Sequence, residues 1–253
     1  MFSTADRTTA RGGGGRPRVA MISLEKRFVF VHIPKTGGNA VQLALREYAS
    51  DRMTFNARQQ AYNERLQETH RFGIQNPYMD IEKHSSIAEI HAKWDERQLG
   101  AWSDYLRFAC VRNPWERLVS LYFSPHREKS AAGKTGFRER LARFGRAPRS
   151  GTADFNPVKF REFIRKKAPR QDQASYVLEG DALAVDHLMR FENLEQDFSG
   201  ICELIGIEAV LPHANQSRRQ PYQYYYDSQS RELVRKLCRR DIELFEYEFE
   251  PHS

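Results

Sequence analysis

A lysine, a threonine and two glycines follow an apolar run near the start of the chain, in the stretch FVFVHIPKTGGNA (residues 28–40). A strand that ends in a glycine-rich turn before a helix directs backbone N–H groups and the positive end of the helix dipole at one point. Lys35 adds a positive charge there and Thr36 adds a hydroxyl, while Gly37 and Gly38 let a ligand approach the backbone. The pattern predicts a site for a phosphate or a sulfate.

This loop differs from that of the nucleoside triphosphatases, in which the glycines precede the lysine. A second stretch, Gly133-Lys134-Thr135, matches the end of the triphosphatase motif, but Glu128 stands where its first glycine is required. The residues before that stretch also do not predict a strand. We therefore do not expect a triphosphate loop, and the anion bound by the first loop has to be identified from other parts of the chain.

A second strand and helix are predicted from the stretch YLRFACVRNPWERLVS. The run from Tyr105 to Val111 is typical of a buried strand, and Arg112 lies where this strand meets the helix. Asn113 suits the N-cap of the helix, with Pro114 in the first position. The helix face expected to pack on the sheet consists of Trp115, Leu118, Val119 and Tyr122, and the opposite face includes Arg117 and Ser120.

Strands that alternate with helices along the chain predict the fold class. The other elements expected are strands at Arg27–Ile33 and Asp186–Phe191, and helices from about Asn39, at Asn156–Lys167 and at Ser230–Phe245. This order favours an α/β fold, with a P-loop-like three-layer α/β/α architecture around a central, mainly parallel sheet. Residues 1–22 are expected to be a disordered tail, and residues 23–253 a single domain.

The formal net charge of +7 indicates anionic partners. Much of this positive charge comes from residues 126–149, which contain eight Lys or Arg residues and two Glu residues. They belong to a basic insertion expected at about 126–150. Two interpretations stay open for this segment: a solvated insertion, or a surface that binds a polyanionic acceptor. Because no recognisable nucleic-acid-binding module accompanies the charge, we do not expect a nucleic acid as partner.

The compartment is predicted from what the chain does not contain. We find no apolar run of the roughly 18 residues needed to span a bilayer and no apolar core of a secretory signal, so no membrane anchor is expected. The three cysteines form neither a disulfide framework nor a zinc-binding spacing. We expect a cytoplasmic protein of bacterial type, without a metal; the sequence does not predict its oligomeric state.

A resemblance to a known family rests on paired motifs. The loop HIPKTGG after one strand and the stretch FACVRNPWERLVSLYF after another occur here in the order typical of the sulfotransferase superfamily. The resemblance extends to RFENL at 190–194 and to LPHANQSRRQPYQYYY at 211–226, so it covers most of the chain from residue 28 to 249. The chain is most similar to the carbohydrate group, which includes the heparan 2-O-type and chondroitin/dermatan-type enzymes and bacterial relatives.

The resemblance implies a sulfuryl donor, 3′-phosphoadenosine 5′-phosphosulfate (PAPS), with the bisphosphate PAP as product and no metal. Lys35 would contact the bridging oxygen and stabilise the charge on the leaving phosphate, which makes it a catalytic residue. Arg112 and Ser120 would bind the 3′-phosphate. The cradle for the 5′-phosphosulfate would consist of Lys35, Thr36, Gly37, Gly38, Asn39 and Ala40, and a C-terminal loop with Ser217 and Arg218 would close on the nucleotide.

One residue of this cradle departs from the family pattern. The family usually has Ser or Thr where this chain has Asn39. Asparagine also donates a hydrogen bond and caps a helix, but it lacks the hydroxyl. The departure leaves open how the 5′-phosphate is contacted.

A base is needed for the proton of the acceptor hydroxyl. In related enzymes a histidine between the two donor motifs has this role, and His84 in EKHSSIAEI is the best positional match, as base and as a substrate contact. The alternatives are that His84 only begins a helix, or that His70 or His91 is the base. His32 is expected to orient the loop, and Gln173 matches a family residue near the acceptor or the adenine.

These observations predict a PAPS-dependent O-sulfotransferase that modifies a hydroxyl of a carbohydrate or glycan, acidic glycans included. Two alternatives stay open at this point. One is a P-loop-type nucleotide-binding kinase, for which the lysine placement and an acidic Mg²⁺ motif are missing. The other is a relative that binds PAPS without activity.

Overall fold

In a computed structural model of the chain, the residues described are 21–49, 52–53, 74–75, 81, 83–124, 155–168, 172–212 and 219–250. Several sequence-based predictions therefore lie outside the described residues and stay predictions. They concern the tail up to residue 20, the basic insertion at 126–150, His70, Ser217 and Arg218.

The described residues contain eight strands, which form one central four-stranded sheet and two separate pairs of short strands. The strands are β1 (Met21–Ser23), β2 (Phe28–Val31), β3 (Arg52–Met53), β4 (Ile74–Gln75), β5 (Leu106–Val111), β6 (Leu178–Glu179), β7 (Ala182–Leu183) and β8 (His187–Arg190). The central sheet has the order β1-β2-β5-β8, while β3 pairs with β4 and β6 pairs with β7. Strands β2, β5 and β8 are parallel, and β1 is antiparallel to β2.

Helices connect and cover these strands in the described part of the chain. They are α1 (Gly38–Ala44), α2 (Ile87–Ala92), α3 (Glu96–Leu99), α4 (Pro114–Tyr122), α5 (Pro157–Lys167), α6 (Ala174–Val177), α7 (Leu194–Ile205), α8 (Ser228–Leu237) and α9 (Arg239–Phe245), with 3₁₀ turns at Trp102–Asp104, Phe191–Asn193 and Tyr222–Tyr225. None of them is long and apolar enough to span a membrane.

The sheet is buried on both faces, as its apolar strands require. Alternate side chains of β2 enter two separate core clusters: Val29 packs with Trp115 of α4, and Phe30 packs with Val41 of α1 and Phe198 of α7. Helices therefore lie on both faces of a mainly parallel sheet. The predicted three-layer α/β fold is confirmed.

Two details differ from the sequence-based expectations. The chain enters the sheet at Met21, inside the stretch predicted to be tail, because Met21 and Ile22 are apolar and pair with β2 at its edge. The expected single helix at the C-terminus is two helices, α8 and α9, since Cys238 between them has a ψ of 25°. The second helix brings Asp241 to a buried position.

The three cysteines are buried and none forms a disulfide. Burial raises the pKa of the Cys110 and Cys202 thiols, and it raises that of Cys238 to about 12. All three therefore stay protonated at neutral pH, as small apolar side chains do in a core.

The pairing of the parallel strands determines where a site can form. In the register, Val31 pairs with Ala109, and Val111 pairs with Arg190. The carboxyl ends of β2, β5 and β8 therefore lie at the same edge of the sheet. Ligands of open α/β sheets bind at this edge, and the loop at Lys35 and the guanidinium of Arg112 meet there.

Candidate donor and transfer site

The loop after β2 has an unusual backbone. Lys35 has a φ of 72° and Gly37 a φ of 88°, both in the left-handed region. A Cβ at Gly37 would also stand 2.7 Å from a methyl carbon of Leu194. The Thr36 hydroxyl is buried and donates to the carbonyl oxygen of Ile33 across 3.0 Å. The loop is thus a tight turn held by its own residues and by the segment that follows β8.

Gly38 is required by a neighbouring ring. A Cβ at this position would stand 2.3 Å from Cδ2 of His32, closer than any side chain tolerates. His32 is buried, and its Nδ1 lies 2.9 Å from Oε1 of Gln42 in α1. Burial first, and the charges of Lys83 and His84 second, hold the pKa of His32 well below its ordinary value. The neutral ring supports the loop from below, more deeply buried than the sequence predicts.

The structure brings His84 to the same strand end. Its Nδ1 lies 2.7 Å from the carbonyl oxygen of His32, and the two rings are 4.8 Å apart between centroids. Because a carbonyl oxygen only accepts, Nδ1 carries the hydrogen, and in the neutral ring Nε2 carries the lone pair. Two residues later Ser86 caps α2 in a capping box with Glu89, which sets where the helix begins.

His91, an alternative base, lies in the last turn of α2. Its Nδ1 is 3.0 Å from Oε1 of Glu179, and its ring stacks on Trp102 at 4.7 Å. These contacts hold it against the 178–179 strand and the turn before β5. They do not connect it with the loop at Lys35, whereas His84 is bonded to the residue that begins that loop.

Asn39 is held by Lys83. The ammonium nitrogen of Lys83 donates to Oδ1 of Asn39 across 2.7 Å. Because this contact occupies the amide oxygen, the NH₂ group of Asn39 is the part that can donate to an anion. Burial lowers the pKa of Lys83 to about 8. The Asn39 amide thus offers a hydrogen-bond donor at the position where the resembled family has a hydroxyl. Its contact with Lys83 also places a second cation beside the loop.

Arg112 is fixed at its backbone by Gln173. The Arg112 N–H donates to Oε1 of Gln173 across 2.9 Å, and Nε2 of Gln173 donates back to the Arg112 carbonyl across 2.8 Å. Gln173 is 0% exposed. The expectation that Gln173 contacts the acceptor or the adenine stays a prediction; in the structure its amide is buried between Arg112 and Asp241. Its role is to hold the residue that follows β5.

The guanidinium of Arg112 is buried at the carboxyl ends of the strands. Nη1 donates to the Lys35 carbonyl oxygen across 3.2 Å, Nη2 pairs with the Glu116 carboxylate, and the plane lies 3.7 Å from the ring centroid of Phe191. Nε is buried without a hydrogen-bond partner among the described residues. An unpaired guanidinium N–H is costly in a folded protein. A phosphate oxygen would satisfy it.

The helix face opposite the sheet is not exposed. Ser120 is 6% exposed and lies one turn beyond Glu116 on α4, so its side chain is not open to solvent. Arg117 is also buried, and its Nε donates to the carbonyl oxygen of Pro34 across 2.8 Å. The Arg117 side chain thus reaches the loop at Lys35, and Glu116, one turn before Ser120, pairs with Arg112. As predicted, Asn113 caps the helix, through the N–H of Trp115.

Arg219 is a residue of this region that the sequence-based prediction missed. Its Nη1 donates to the carbonyl oxygen of Val119 across 3.2 Å. Burial and the charge of Arg112 lower its pKa, which indicates two guanidinium groups close to each other and to Ser120. The stretch NQSRR pointed to this loop, but the family match selected Ser217 and Arg218, which lie outside the described residues.

Within the residues that the structure describes, no group of three His, Cys, Asp or Glu side chains is placed to hold a metal ion. What these residues assemble is a set of anion-binding groups at two neighbouring positions. One lies at the loop of Lys35 and Asn39. The other lies around Arg112 and Ser120. His84 stands beside the first position.

Comparison with known proteins supports this description. A family model described as the sulfotransferase family matches residues 18–248. Among solved structures, a sulfotransferase from Alicyclobacillus acidocaldarius is 16% identical over 92% of this chain and 100% of that chain, with a TM-score of 0.25, a value that carries no structural argument. None of the curated proteins compared matches the chain. Because the family model spans nearly the whole chain and both anion-binding positions, the protein belongs to the sulfotransferase family.

Proposed function

We propose that the protein transfers a sulfuryl group from PAPS to a hydroxyl of a carbohydrate acceptor. Membership of the family gives sulfuryl transfer in general, and the identity of the donor rests on one observation. The buried guanidinium of Arg112, with Nε unpaired, lies next to the loop of Lys35, to whose carbonyl it donates. A donor with a 3′-phosphate and a 5′-phosphosulfate suits two adjacent anion-binding positions.

The residues present fit such a donor. The 5′-phosphosulfate would lie against Lys35, the amide NH₂ of Asn39 and the backbone from Thr36 to Ala40. The 3′-phosphate would lie against Arg112 and Ser120, with Arg219 close by. Phe191 contacts both positions, because its ring lies on the Arg112 guanidinium and would meet a Cβ at Gly37 at 3.0 Å. Ser217 and Arg218 are the proposed closing contacts.

The chemistry requires a base and compensation of charge. The donor supplies a sulfuryl group whose bond to the bridging phosphate oxygen breaks as a bond to the acceptor oxygen forms. His84 would accept the hydroxyl proton at Nε2, since its Nδ1–H is committed to the His32 carbonyl. Lys35 would stabilise the charge that grows on the leaving bisphosphate. His84 would also contact the acceptor.

The acceptor class is supported by charge and by the resemblance of the sequence motifs. The net charge of +7 and the basic segment 126–149 favour acidic glycans among possible acceptors. Lys83, next to the proposed base, adds a cation beside Asn39 of the loop. A carbohydrate with sulfate or uronate groups fits these features best.

Calorimetric titration tests the donor. Adenosine 3′,5′-bisphosphate, the product, should bind to the protein, while ATP with Mg²⁺ should bind much more weakly because it has no 3′-phosphate. Equal binding of the two ligands would contradict the proposal and favour a nucleotide kinase. A panel of glycans incubated with sulfur-labelled donor then identifies the acceptor, and turnover of none of them would favour a binding protein without activity.

A further inference from the structure

A buried carboxyl group lies behind the donor site. Asp241, in α9, is 1% exposed. It accepts hydrogen bonds from the backbone N–H groups of Gln173, at 2.8 Å, and Ala174, at 2.9 Å, and from Nε2 of Gln173 at 3.2 Å. The Asp241 side chain thereby fixes both the start of α6 and the orientation of the Gln173 amide.

Through Gln173 this carboxyl group reaches Arg112. The Gln173 amide makes two hydrogen bonds to the Arg112 backbone, one to its N–H and one to its carbonyl. A side-chain amide that is turned over would place its NH₂ group against the Arg112 N–H and its oxygen against the Arg112 carbonyl oxygen, so both contacts would be lost. The contact from Nε2 to Asp241 distinguishes the two orientations and keeps the one that holds Arg112.

A second route runs through Arg117. This guanidinium is buried, its charge interacts with Asp241, and its Nε donates to the carbonyl oxygen of Pro34 across 2.8 Å. Pro34 is the residue before Lys35. The hydrogen bonds of Asp241 thus hold the Arg112 backbone through Gln173, while its charge acts on the guanidinium that bonds to Pro34.

We propose that Asp241 is a positioning residue of the donor site, which through Gln173 holds the Arg112 backbone where the Arg112 guanidinium can contact the donor. This inference rests on the proposed function. A buried carboxyl group costs free energy unless it is well bonded, and the hydrogen bonds of Asp241 go to Gln173, which holds Arg112, to the Ala174 N–H and to the side chain of Asp172 before α6.

Alanine and asparagine at this position separate positioning from general stability. Asp241→Ala should weaken the binding of adenosine 3′,5′-bisphosphate by about tenfold or more, because small displacements of binding groups have large effects. Asp241→Asn retains one acceptor oxygen for the two backbone N–H groups but sets an NH₂ group against Nε2 of Gln173, so it should recover stability while affinity stays low. Thermal melting of each variant reports its stability independently.

Asp186 offers a matched control. It accepts from the backbone N–H and from Nε of Arg107, at 2.7 and 2.8 Å, near the amino end of β5 and away from the donor site. Asp186→Ala should lower the melting temperature and leave bisphosphate affinity unchanged. Equal affinity of Asp241→Ala and the wild type would overturn the inference, and so would an equal loss of affinity in Asp186→Ala.

A double-variant cycle tests the route. If Asp241 acts through Arg112, the effect of Asp241→Ala should shrink in an Arg112→Ala background, whereas fully additive effects would overturn the route through Gln173. If Asp241→Ala does not fold, Gln173→Met, which leaves the carboxyl group in place, has to show the loss of affinity. A wild-type protein that does not bind the bisphosphate would refute the donor assignment itself, a result distinct from a failure of positioning alone.

Discussion

His84 donates from Nδ1 to the carbonyl oxygen of His32 across 2.7 Å, so the strand that begins the phosphate loop also orients the proposed base. Because this contact uses a backbone atom, it survives substitution of the His32 side chain. This bond to the backbone therefore fixes which nitrogen of the His84 ring carries the hydrogen, whatever the side chain at position 32.

His84→Ala should lower turnover by about 10²- to 10⁴-fold, the usual contribution of a general base. Bisphosphate affinity, measured by calorimetry, should stay close to that of the wild type. His91→Ala is the matched control, because His91 bonds to Glu179 rather than to the loop. Full turnover in His84→Ala, or a comparable loss in His91→Ala, would show that another group accepts the proton.

Arg112→Ala should remove the preference for a 3′-phosphate. A hydrogen bond to a charged group contributes about 1.5–3 kcal/mol, so the affinity for adenosine 3′,5′-bisphosphate should fall by about 10- to 100-fold. The affinity for adenosine 5′-phosphate should change much less. If both ligands lose affinity equally, Arg112 does not bind the 3′-phosphate.

Gly38→Ala should impair the donor site by steric conflict with His32, since the added Cβ would stand 2.3 Å from the ring. We expect a cost of about 1–3 kcal/mol in the free energy of unfolding, as for other overpacked positions, and weaker bisphosphate binding. The double variant Gly38→Ala/His32→Ala makes room for the methyl group and should recover part of both losses. Absence of any recovery would place the conflict elsewhere.

Bisphosphate affinity should depend on pH through Lys83, whose pKa is lowered to about 8 by burial. The ammonium form is present below that value, and a bound anion favours it and raises its pKa. Affinity should therefore be highest near neutral pH and should fall as the pH rises through about 8. Calorimetry across the range from about pH 7 to about pH 9.5 measures this fall.

Two substitutions serve as controls for the pH profile. Lys83→Arg keeps its charge throughout the range and should bind equally well at both ends. Lys83→Gln should bind weakly, with a profile that is flat in comparison with the wild type. A wild-type affinity that does not change with pH would exclude Lys83 from contact with the bisphosphate.

The parts of the site that the sequence predicted share one property: their signals are local. The glycine turn after β2, the Asn-Pro start of α4 and the position of Arg112 are each encoded within a few neighbouring residues. Buried apolar strands that alternate with helices likewise indicate a parallel sheet, even when the pairing of the strands is unknown. The fold class and the donor loop could therefore be predicted from the sequence alone.

The rest of the site depends on contacts between distant segments. Gln173 bonds to a backbone 61 residues away, which leaves no pattern in the sequence, so its contact with Arg112 was not predicted. Arg219 was missed because its proximity to Arg112 follows from the packing of α4. The burial of Ser120 and Arg117 has the same origin, since the second face of α4 is covered by the loop from another strand.

Phe191 joins the ends of the three parallel strands. Its ring follows β8, lies 3.7 Å from the guanidinium that follows β5, and borders the glycine turn that follows β2. Those segments are far apart along the chain, so the complete site exists only once all three strands have paired. A ligand of this site binds the native state alone, and by mass action it raises the free energy of unfolding of the whole sheet. Binding of a ligand at this site would thus indicate that folding is complete. The ligand-bound protein should resist proteolysis better than the ligand-free protein.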